Sequence, residues 1–246
     1  MILILGSSKD DILYFETKMR EKKYEHFYKN ATIITGLLSG QQVCVAFGIN
    51  TNYLSSTFVT TIIDHHPSII VAINVGLARS LSTDLKPRDI LVSEAIVLGD
   101  VNQTNQFRVQ LCEIPGISQF LSSDIYLKNV CEKTSSLLNL HNVHFGKVIS
   151  TNNYYDNVKE FSFIGQDRMI LGQTQFLAVD CEAGGFAVAC AFAGIPFVSI
   201  KVIQYVIGED QFNRNNLINA LEEYVNVGKL VTAIISEICR NETITL

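Results

Sequence analysis

The stretch FLAVDCEAGGFAVACAFAGIPFVSIKVIQYVIGE, residues 176–209, decides the fold of this chain. Its first apolar run ends at Asp180-Cys181-Glu182, and a helix of small residues follows at once. Because open α/β folds bind ligands at the carboxyl ends of such strands, Glu182 is the first candidate for a ligand-binding acid. The helix N-terminus should help to keep this carboxylate ionised, as an acceptor for sugar hydroxyls. An acid at this position could instead simply cap the helix.

Strand-like and helix-like patterns take turns along the whole chain. Candidate strands are residues 1–5, 31–38, 42–47, 69–75, 89–98, 146–150, 176–179 and 196–204. Candidate helices are residues 9–22, 53–65, 124–140, 156–171, 182–193 and 216–240. The second and third strands are close enough in sequence to form a hairpin. Since continuous apolar runs indicate strands covered on both faces, the pattern predicts a three-layer α/β fold with a central mixed, largely parallel sheet flanked by helices.

Composition limits the class of protein. No Pro-, Ser- or charge-rich linker divides the 246 residues, so we expect one domain spanning residues 1–246. The hydrophobic content of 48% with 17% charged residues is typical of a compact globular protein. A net charge of −5 argues against a nucleic-acid partner, which normally requires a basic surface.

Cysteine and histidine spacing bears on cofactors and on the compartment. The six cysteines include no CxxC pair, which indicates buried thiols in a reducing compartment. The five histidines lie in no cluster with metal-ligand spacing, so we expect no metal and no cofactor. The opening run MILIL lacks a basic leader and is too short to span a bilayer, which favours a cytoplasmic protein without a membrane partner.

Three predicted loops at the carboxyl ends of strands carry polar or aromatic residues. They are residues 6–11 (GSSKDD), 74–80 (NVGLARS) and 150–155 (STNNYY). Asp10 and Asp11 could be ordinary acids in the first turn of a capped helix. The first loop has one glycine and no Gly-Lys-Ser/Thr, so it is not a Walker-type phosphate loop. Tyr154 and Tyr155 could pack in the core or stack on a planar base.

In this order, the motifs resemble the nucleoside phosphorylase superfamily, and in particular its methylthioadenosine/S-adenosylhomocysteine nucleosidases. The resemblance is strongest at NVGLARSL (74–81) with LKPRDILVSE (85–94), and at VDCEA (179–183) with GIPFV (194–198). The family has a Gly-Ser-Ala-Gly-Gly-Leu turn leading into Gly-Asp-Ile-Val-Val-Ser at the first pair. At the second pair it has Val-Glu-Met-Glu-Ala and Val-Pro-Phe. The resemblance extends over nearly the whole chain and implies the superfamily's fold.

The resemblance also implies a reaction, the cleavage of a purine–ribose bond through an oxocarbenium-like transition state. In such a site Glu182 would hold the ribose hydroxyls, and Cys181 would line the sugar. Asp11 would position and deprotonate a water molecule. Tyr154 would stack on the purine, and backbone groups near Tyr155 would bind its edge. The other implied substrate-binding positions are Gly76, Leu77, Ala78, Lys201 and Gln204.

Several positions depart from the family pattern. Where the family reads Arg-Ala-Ile-Ser-Asp, with the aspartate protonating the purine, this chain reads Lys201-Val-Ile-Gln-Tyr205. Tyr205 therefore takes the general-acid position, although a phenol is a weaker acid than a tuned carboxyl group. Leu77 replaces a serine and Arg79 replaces a glycine. Asp11 is one methylene shorter than the family's glutamate.

The sequence is compatible with three functions. The first is hydrolysis of methylthioadenosine, S-adenosylhomocysteine or a related nucleoside such as futalosine. A second possibility is a catalytically impaired protein that binds a nucleoside or serves in storage or interaction. The third is a phosphorylase, whose Gly-Asp-Pro-x-Arg loop after the first strand is absent from this sequence. In each case the small-molecule partner is a purine nucleoside.

The resemblance further implies a homodimer, since family members commonly close the pocket with a neighbouring chain. The segment QLCEIPGI, residues 110–117, resembles the loop that reaches across that interface. Ile114, Ile117 and Phe120 could make this contact, or they could pack within their own subunit.

Overall fold

A computed structural model describes residues 1–27, 30–107, 109–154, 176–208 and 214–242, without the side chains of residues 214–217, 219, 241 and 242. The helix predicted at 156–171 and the base-edge position Tyr155 lie outside the described residues.

Strands and helices alternate along most of the described chain. The strands are β1 (Ile2–Leu5), β2 (Arg20–Phe27), β3 (Ala31–Leu38), β4 (Gln41–Phe47), β5 (Val71–Ser80), β6 (Ile90–Leu98), β7 (Leu121–Ser122), β8 (Val143–Ser150), β9 (Phe176–Asp180) and β10 (Phe197–Val206). The helices are α1 (Lys9–Lys18), α2 (Asn52–His65), α3 (Ile125–Leu137), α4 (Ala183–Ala193) and α5 (Arg214–Glu242).

The ten strands form one mixed sheet. Its order is β10-β6-β8-β9-β5-β1-β4-β3-β2, with β7 beside β6. Because β10 also pairs with β5, strands β5, β10, β6, β8 and β9 close into a ring of hydrogen-bonded neighbours. Strand β5 runs parallel to β10 and antiparallel to β9, with Gly76 opposite Lys201 and Arg79 opposite Val179. The second half of β5 therefore lies between the two strands whose residues define the site.

Helices cover both faces of the sheet, as the sequence predicts. Along β1, Ile2 and Ile4 pack into a core with α1, α3 and α5, while Leu3 and Leu5 pack into a second core with α2 and α4. This alternation follows from the period of two in a strand. The three-layer α/β prediction is confirmed.

The hairpin prediction is also confirmed, because β3 and β4 are antiparallel neighbours. Two boundaries are wrong. Helix α1 ends at Lys18, and most of the remaining predicted helix lies in β2. Strand β2 forms the edge of the sheet and is exposed along nearly its whole length, so its polar sequence shows no apolar alternation. The predicted loop at residues 74–80 belongs to β5, whose backbone is paired there with β10 and β9.

Side-chain hydrogen bonds fix the start of α4. The Oδ1 atom of Asn52, at the start of α2, accepts from Oγ of Ser150 at 2.8 Å and from the amide of Gly185 at 2.9 Å. The Oδ2 atom of Asp180 accepts from the amide of Ala183 at 3.0 Å. Helix α4 is thereby tied to α2, β8 and β9, and the turn that carries Glu182 is held in place.

Candidate active site

Asp11 lies in the first turn of α1 and is 2% exposed. Its Oδ2 accepts from the amide of Ser7, the hydroxyl of Ser7 and the amide of Ser8, each at 2.8 Å. Its Oδ1 accepts from the hydroxyl of Tyr224, at 2.5 Å, on α5. The interpretation of Asp11 as an ordinary first-turn acid therefore accounts for only part of its contacts. Tyr224 links it to a helix at the other end of the chain.

Glu182 is buried between β9 and α4 and makes an ion pair with Lys201 of β10. The ammonium of Lys201 also lies 2.8 Å from Oδ2 of Asp180. Within the described part of the chain, the Glu182 side chain makes no capping hydrogen bond to α4, and Asp180 makes one instead. The capping alternative thus applies to Asp180, and Glu182 is directed toward Lys201.

Gly76 marks the point at which these groups meet. A Cβ atom at Gly76 would lie 2.9 Å from Oε1 of Glu182, 3.2 Å from Nζ of Lys201 and 3.9 Å from Oδ2 of Asp11. Any larger residue would therefore displace the ion pair. Three segments that are distant in sequence bring their charged groups together at this glycine.

Three carboxylates lie near one cation in this cluster, and Lys201 makes ion pairs with two of them, Asp180 and Glu182. Burial raises the pKa of Glu182 to about 7, with Lys201 opposing the rise and Asp180 and Asp11 adding to it. Burial also lowers the pKa of Lys201, but its contacts with Asp180 and Glu182 outweigh this and hold the pKa above its usual range. The prediction that the helix N-terminus keeps Glu182 readily ionised is wrong in direction, because burial and neighbouring negative charge are stronger.

A cavity of about 390 Å³ opens beside Glu182. It is lined by Ser7, Asn50, Thr51, Leu77, Ala78, Arg79, Asn152, Tyr154, Val179, Asp180, Cys181, Glu182 and Gln204. Burial, together with Asp180 and Glu182, raises the pKa of Cys181 to about 11, so its thiol is neutral at neutral pH. The cavity has the size of a small-molecule site, with an acidic end at Glu182.

Two tyrosines and an arginine form the opposite side of this site. The hydroxyls of Tyr154 and Tyr205 are 2.6 Å apart, and the guanidinium of Arg79 lies 3.9 Å from the centre of the Tyr154 ring. Tyr154 is 57% exposed, whereas Tyr205 is buried among the side chains of a separate small core. Tyr205 therefore approaches the cavity through the hydroxyl of Tyr154, and Gln204 lines it directly.

Most of the predicted site residues come together, and two further residues of the site were not predicted. Gly76, Leu77, Ala78, Cys181, Lys201 and Gln204 lie in or directly behind the cavity. The sequence did not identify Asp180 as a partner of Lys201, and it did not single out Tyr224. The sequence offered one signal for Tyr224, since the hydroxyl of a buried tyrosine needs a hydrogen-bond partner.

Other features of the described residues do not compete with this site. A cavity of about 520 Å³ lies near the turn between β3 and β4, but its charged lining residues Lys18, Arg20 and Glu21 are exposed. Across the described ranges, no three His, Cys, Asp or Glu side chains are grouped as metal ligands. None of the helices in the described chain is long and apolar enough to cross a membrane.

Comparison with known proteins assigns this chain to a family. Residues 1–238 match the sequence profile of the phosphorylase superfamily. A 5'-methylthioadenosine/S-adenosylhomocysteine nucleosidase from an Exiguobacterium strain is 25% identical over 238 residues, covering 92% of this chain and 96% of the relative.

Solved structures share the fold. The nucleosidase of the same name from Neisseria meningitidis, in complex with methylthio-immucillin-A, superimposes with a TM-score of 0.83 at 20% identity and covers 96% of this chain and 98% of its own. Futalosine hydrolase of Helicobacter pylori gives a TM-score of 0.82 at 19% identity, and the match covers 96% of this chain and 97% of the hydrolase chain. The chain therefore belongs to the phosphorylase superfamily, and its sequence and fold are similar to those of the nucleosidases within it.

Proposed function

We propose that this protein is a purine nucleosidase that hydrolyses the N-glycosidic bond of methylthioadenosine, S-adenosylhomocysteine or a related nucleoside. The observation that carries the proposal is the meeting of Asp11, Glu182 and Lys201 around Gly76, beside a cavity of about 390 Å³. The names of its relatives support the same class of reaction.

In this proposal Glu182 holds the ribose. Its carboxylate accepts hydrogen bonds from the 2'- and 3'-hydroxyls, and Lys201 fixes its orientation from behind. Leu77, Ala78 and the neutral thiol of Cys181 line the sugar. Since the carboxylates outnumber the cation, the cluster favours the positive charge that develops on the ribosyl ring.

Asp11 activates the attacking water. The water donates a proton to the Asp11 carboxylate as its oxygen forms a bond to C1'. The bond between C1' and the base nitrogen breaks, and its electron pair leaves with the base. Ser7, Ser8 and Tyr224 hold the Asp11 carboxylate in place, with Oδ2 toward Gly76 and Glu182.

The leaving base lies toward Tyr154, Gln204 and Tyr205. The Tyr154 ring offers a stacking surface, and Gln204 offers hydrogen bonds to the base edge. Through the Tyr154–Tyr205 hydroxyl pair, a phenol donates a hydrogen bond to the departing nitrogen. Tyr205 thus takes the place of the general acid as a hydrogen-bond donor, and Tyr155 remains a proposed contact for the base edge.

The same tyrosines favour a second candidate function, a catalytically impaired nucleoside-binding protein. A hydroxyl is a weaker acid than a carboxyl group, and positioned acids contribute about 10²–10⁴-fold to such reactions. In addition, the guanidinium of Arg79 covers one face of the Tyr154 ring. Binding without turnover would result if these changes remove the assistance to the leaving base.

One assay separates these functions. Purified protein is incubated with methylthioadenosine, S-adenosylhomocysteine, adenosine, inosine and futalosine, with and without phosphate, and release of the base is measured. Phosphate-independent release from at least one nucleoside is expected. Binding without release would favour the impaired protein, and release that requires phosphate would favour a phosphorylase.

Glu182→Gln should weaken the binding of ribosides far more than that of free adenine. The amide retains the shape but loses the charge that accepts two hydroxyls, so we expect about 10–100-fold weaker riboside binding. Isothermal titration with a non-hydrolysable riboside and with adenine measures both affinities. Glu222→Gln, at a side chain that is 60% exposed, is the matched control. Equal losses for riboside and adenine would remove Glu182 from the ribose role.

Riboside affinity should rise with pH. Because the pKa of Glu182 is raised to about 7, its carboxylate form becomes the main form only above that pH. Titrations at several pH values across neutrality should show the rise for the riboside and not for adenine. The dependence should disappear in Glu182→Gln. A riboside affinity that stays constant across this range would contradict the assignment.

We also propose that the protein forms the homodimer implied by its family. In the isolated chain, Ile117 and Phe120 are only partly buried against the two cores next to them. Residues 114–117 form a short turn closed by a bridge between Ile114 and Ile117. The mass measured by light scattering would decide between a monomer and a dimer.

A further inference from the structure

Helix α5 reaches the proposed site through the hydroxyl of Tyr224. This hydroxyl donates to Oδ1 of Asp11, a residue 213 positions away in the sequence. Tyr224 is 5% exposed, and its ring belongs to the core between α5, α1 and the sheet. The hydrogen bond therefore forms in a buried environment that holds both partners.

The two oxygens of Asp11 are held in different ways. Three donors from Ser7 and Ser8 converge on Oδ2, all from the turn that precedes α1. Among the described residues, Oδ1 accepts from Tyr224 alone. The Asp11 oxygen that approaches Gly76 is Oδ2, and Tyr224 holds the other oxygen of the same carboxylate. The Tyr224 hydroxyl therefore fixes the orientation of the whole carboxylate group.

We propose that Tyr224 is a positioning residue for Asp11: its hydroxyl holds Oδ1 and so orients the carboxylate that accepts the proton of the attacking water. This inference rests on the proposed nucleosidase function. Tyr224 does not touch the substrate; it acts through Asp11.

The charges around Asp11 explain why a neutral donor is suited to this position. Glu182 and Lys201 approach the same glycine as Asp11, and Glu182 and Asp10 act on the Tyr224 hydroxyl together with Asp11. Burial and the Asp11 charge raise the pKa of Tyr224 well above its usual value of 10, so its hydroxyl remains a donor at neutral pH. The phenol stabilises a carboxylate in negative surroundings and adds no second cation to compete for Glu182.

Tyr224→Phe keeps the buried ring and removes only the hydroxyl. We expect kcat to fall by about 10–100-fold, while KM changes by less than about twofold. A fall in kcat with KM retained reports the loss of an interaction made in the transition state, which a general loss of folded structure would not produce.

Tyr14→Phe is the matched control. Tyr14 lies on α1 with its ring against Gly228 of α5, so the control removes a phenol hydroxyl from the same helix pair. It should retain the wild-type kcat and KM. An unchanged kcat in Tyr224→Phe, or an equal fall in kcat in Tyr14→Phe, would overturn the inference.

A measurement without turnover separates this inference from the proposed function. Proton NMR of the wild-type protein should show a slowly exchanging, downfield tyrosine hydroxyl resonance. It should be absent in Tyr224→Phe, move upfield in Asp11→Asn and persist in Tyr14→Phe. If this resonance is missing from the wild type, Tyr224 does not hold Asp11. If the wild type releases no base from any nucleoside, the proposed function fails, and the resonance still decides the contact.

Discussion

Replacing Asp11 by Asn is expected to lower kcat by about 10²–10⁴-fold, the range typical for loss of a positioned general base. The amide cannot take a proton from water at neutral pH, although it has nearly the same shape. Its carbonyl oxygen can still accept from the amides of Ser7 and Ser8, so the start of α1 should remain folded. Steady-state kinetics on the nucleoside that is cleaved fastest would measure the effect.

Asp10→Asn is the matched control, because Asp10 is the exposed neighbour on the same helical turn. This substitution removes one negative charge from the adjacent residue but should leave kcat close to wild type. A similar fall in kcat in both variants would mean that activity depends on the total negative charge of this turn and not on Asp11 in particular. Full activity in Asp11→Asn would exclude Asp11 as the base.

Replacing Lys201 by Met is expected to destabilise the folded protein by about 3–5 kcal/mol, as is typical when one partner of a buried ion pair is removed. The methionine fills a similar volume but leaves Asp180 and Glu182 without their shared cation. Protonating a carboxylate relieves part of this cost, so the folded variant binds more protons than the unfolded chain. The loss should therefore be larger at about pH 8 than at about pH 5. Denaturant unfolding at the two pH values measures both effects.

Lys229→Met is the control for Lys201→Met, since Lys229 is exposed on α5. Its free energy of unfolding should lie within about 0.5 kcal/mol of wild type. Adding Glu182→Gln to Lys201→Met should recover part of the loss, because it removes one of the unpaired charges. If Lys201→Met and Lys229→Met are equally stable, the buried cluster does not hold the site together.

The position of the site could be predicted from the sequence because it depends on local patterns. An apolar run that ends in an acid and is followed by a small-residue helix places Glu182 at the end of a strand. Asp11 stands in the same relation to β1. Their meeting around Gly76 could not be read from these patterns, since it depends on the closed ring of β5, β10, β6, β8 and β9.

The wrong predictions concern residue types that are common in more than one kind of structure. Residues 76–80 contain glycine, arginine and serine, which are typical of a loop, yet pairing with β10 and β9 on both sides makes them a strand. The polar strand β2 has the composition of an exposed helix end. Tyr224 fits an apolar stripe by its ring, and only the three-dimensional contact shows what its hydroxyl does.

The protonation state of Glu182 was harder to predict than its position in the fold. The N-terminus of α4 favours an ionised Glu182, but the burial of three carboxylates with one lysine has the opposite and larger effect. This balance depends on how many charges the fold brings together, which no local pattern reports. In the proposed mechanism the same excess of negative charge favours the ribosyl cation.

A structure of the protein bound to a non-hydrolysable methylthioadenosine analogue tests the account most directly. We predict that both ribose hydroxyls lie about 2.6–3.2 Å from the Glu182 carboxylate, with a water between the Asp11 carboxylate and C1'. An analogue bound with its ribose away from Glu182, or in a different cavity, would contradict the account.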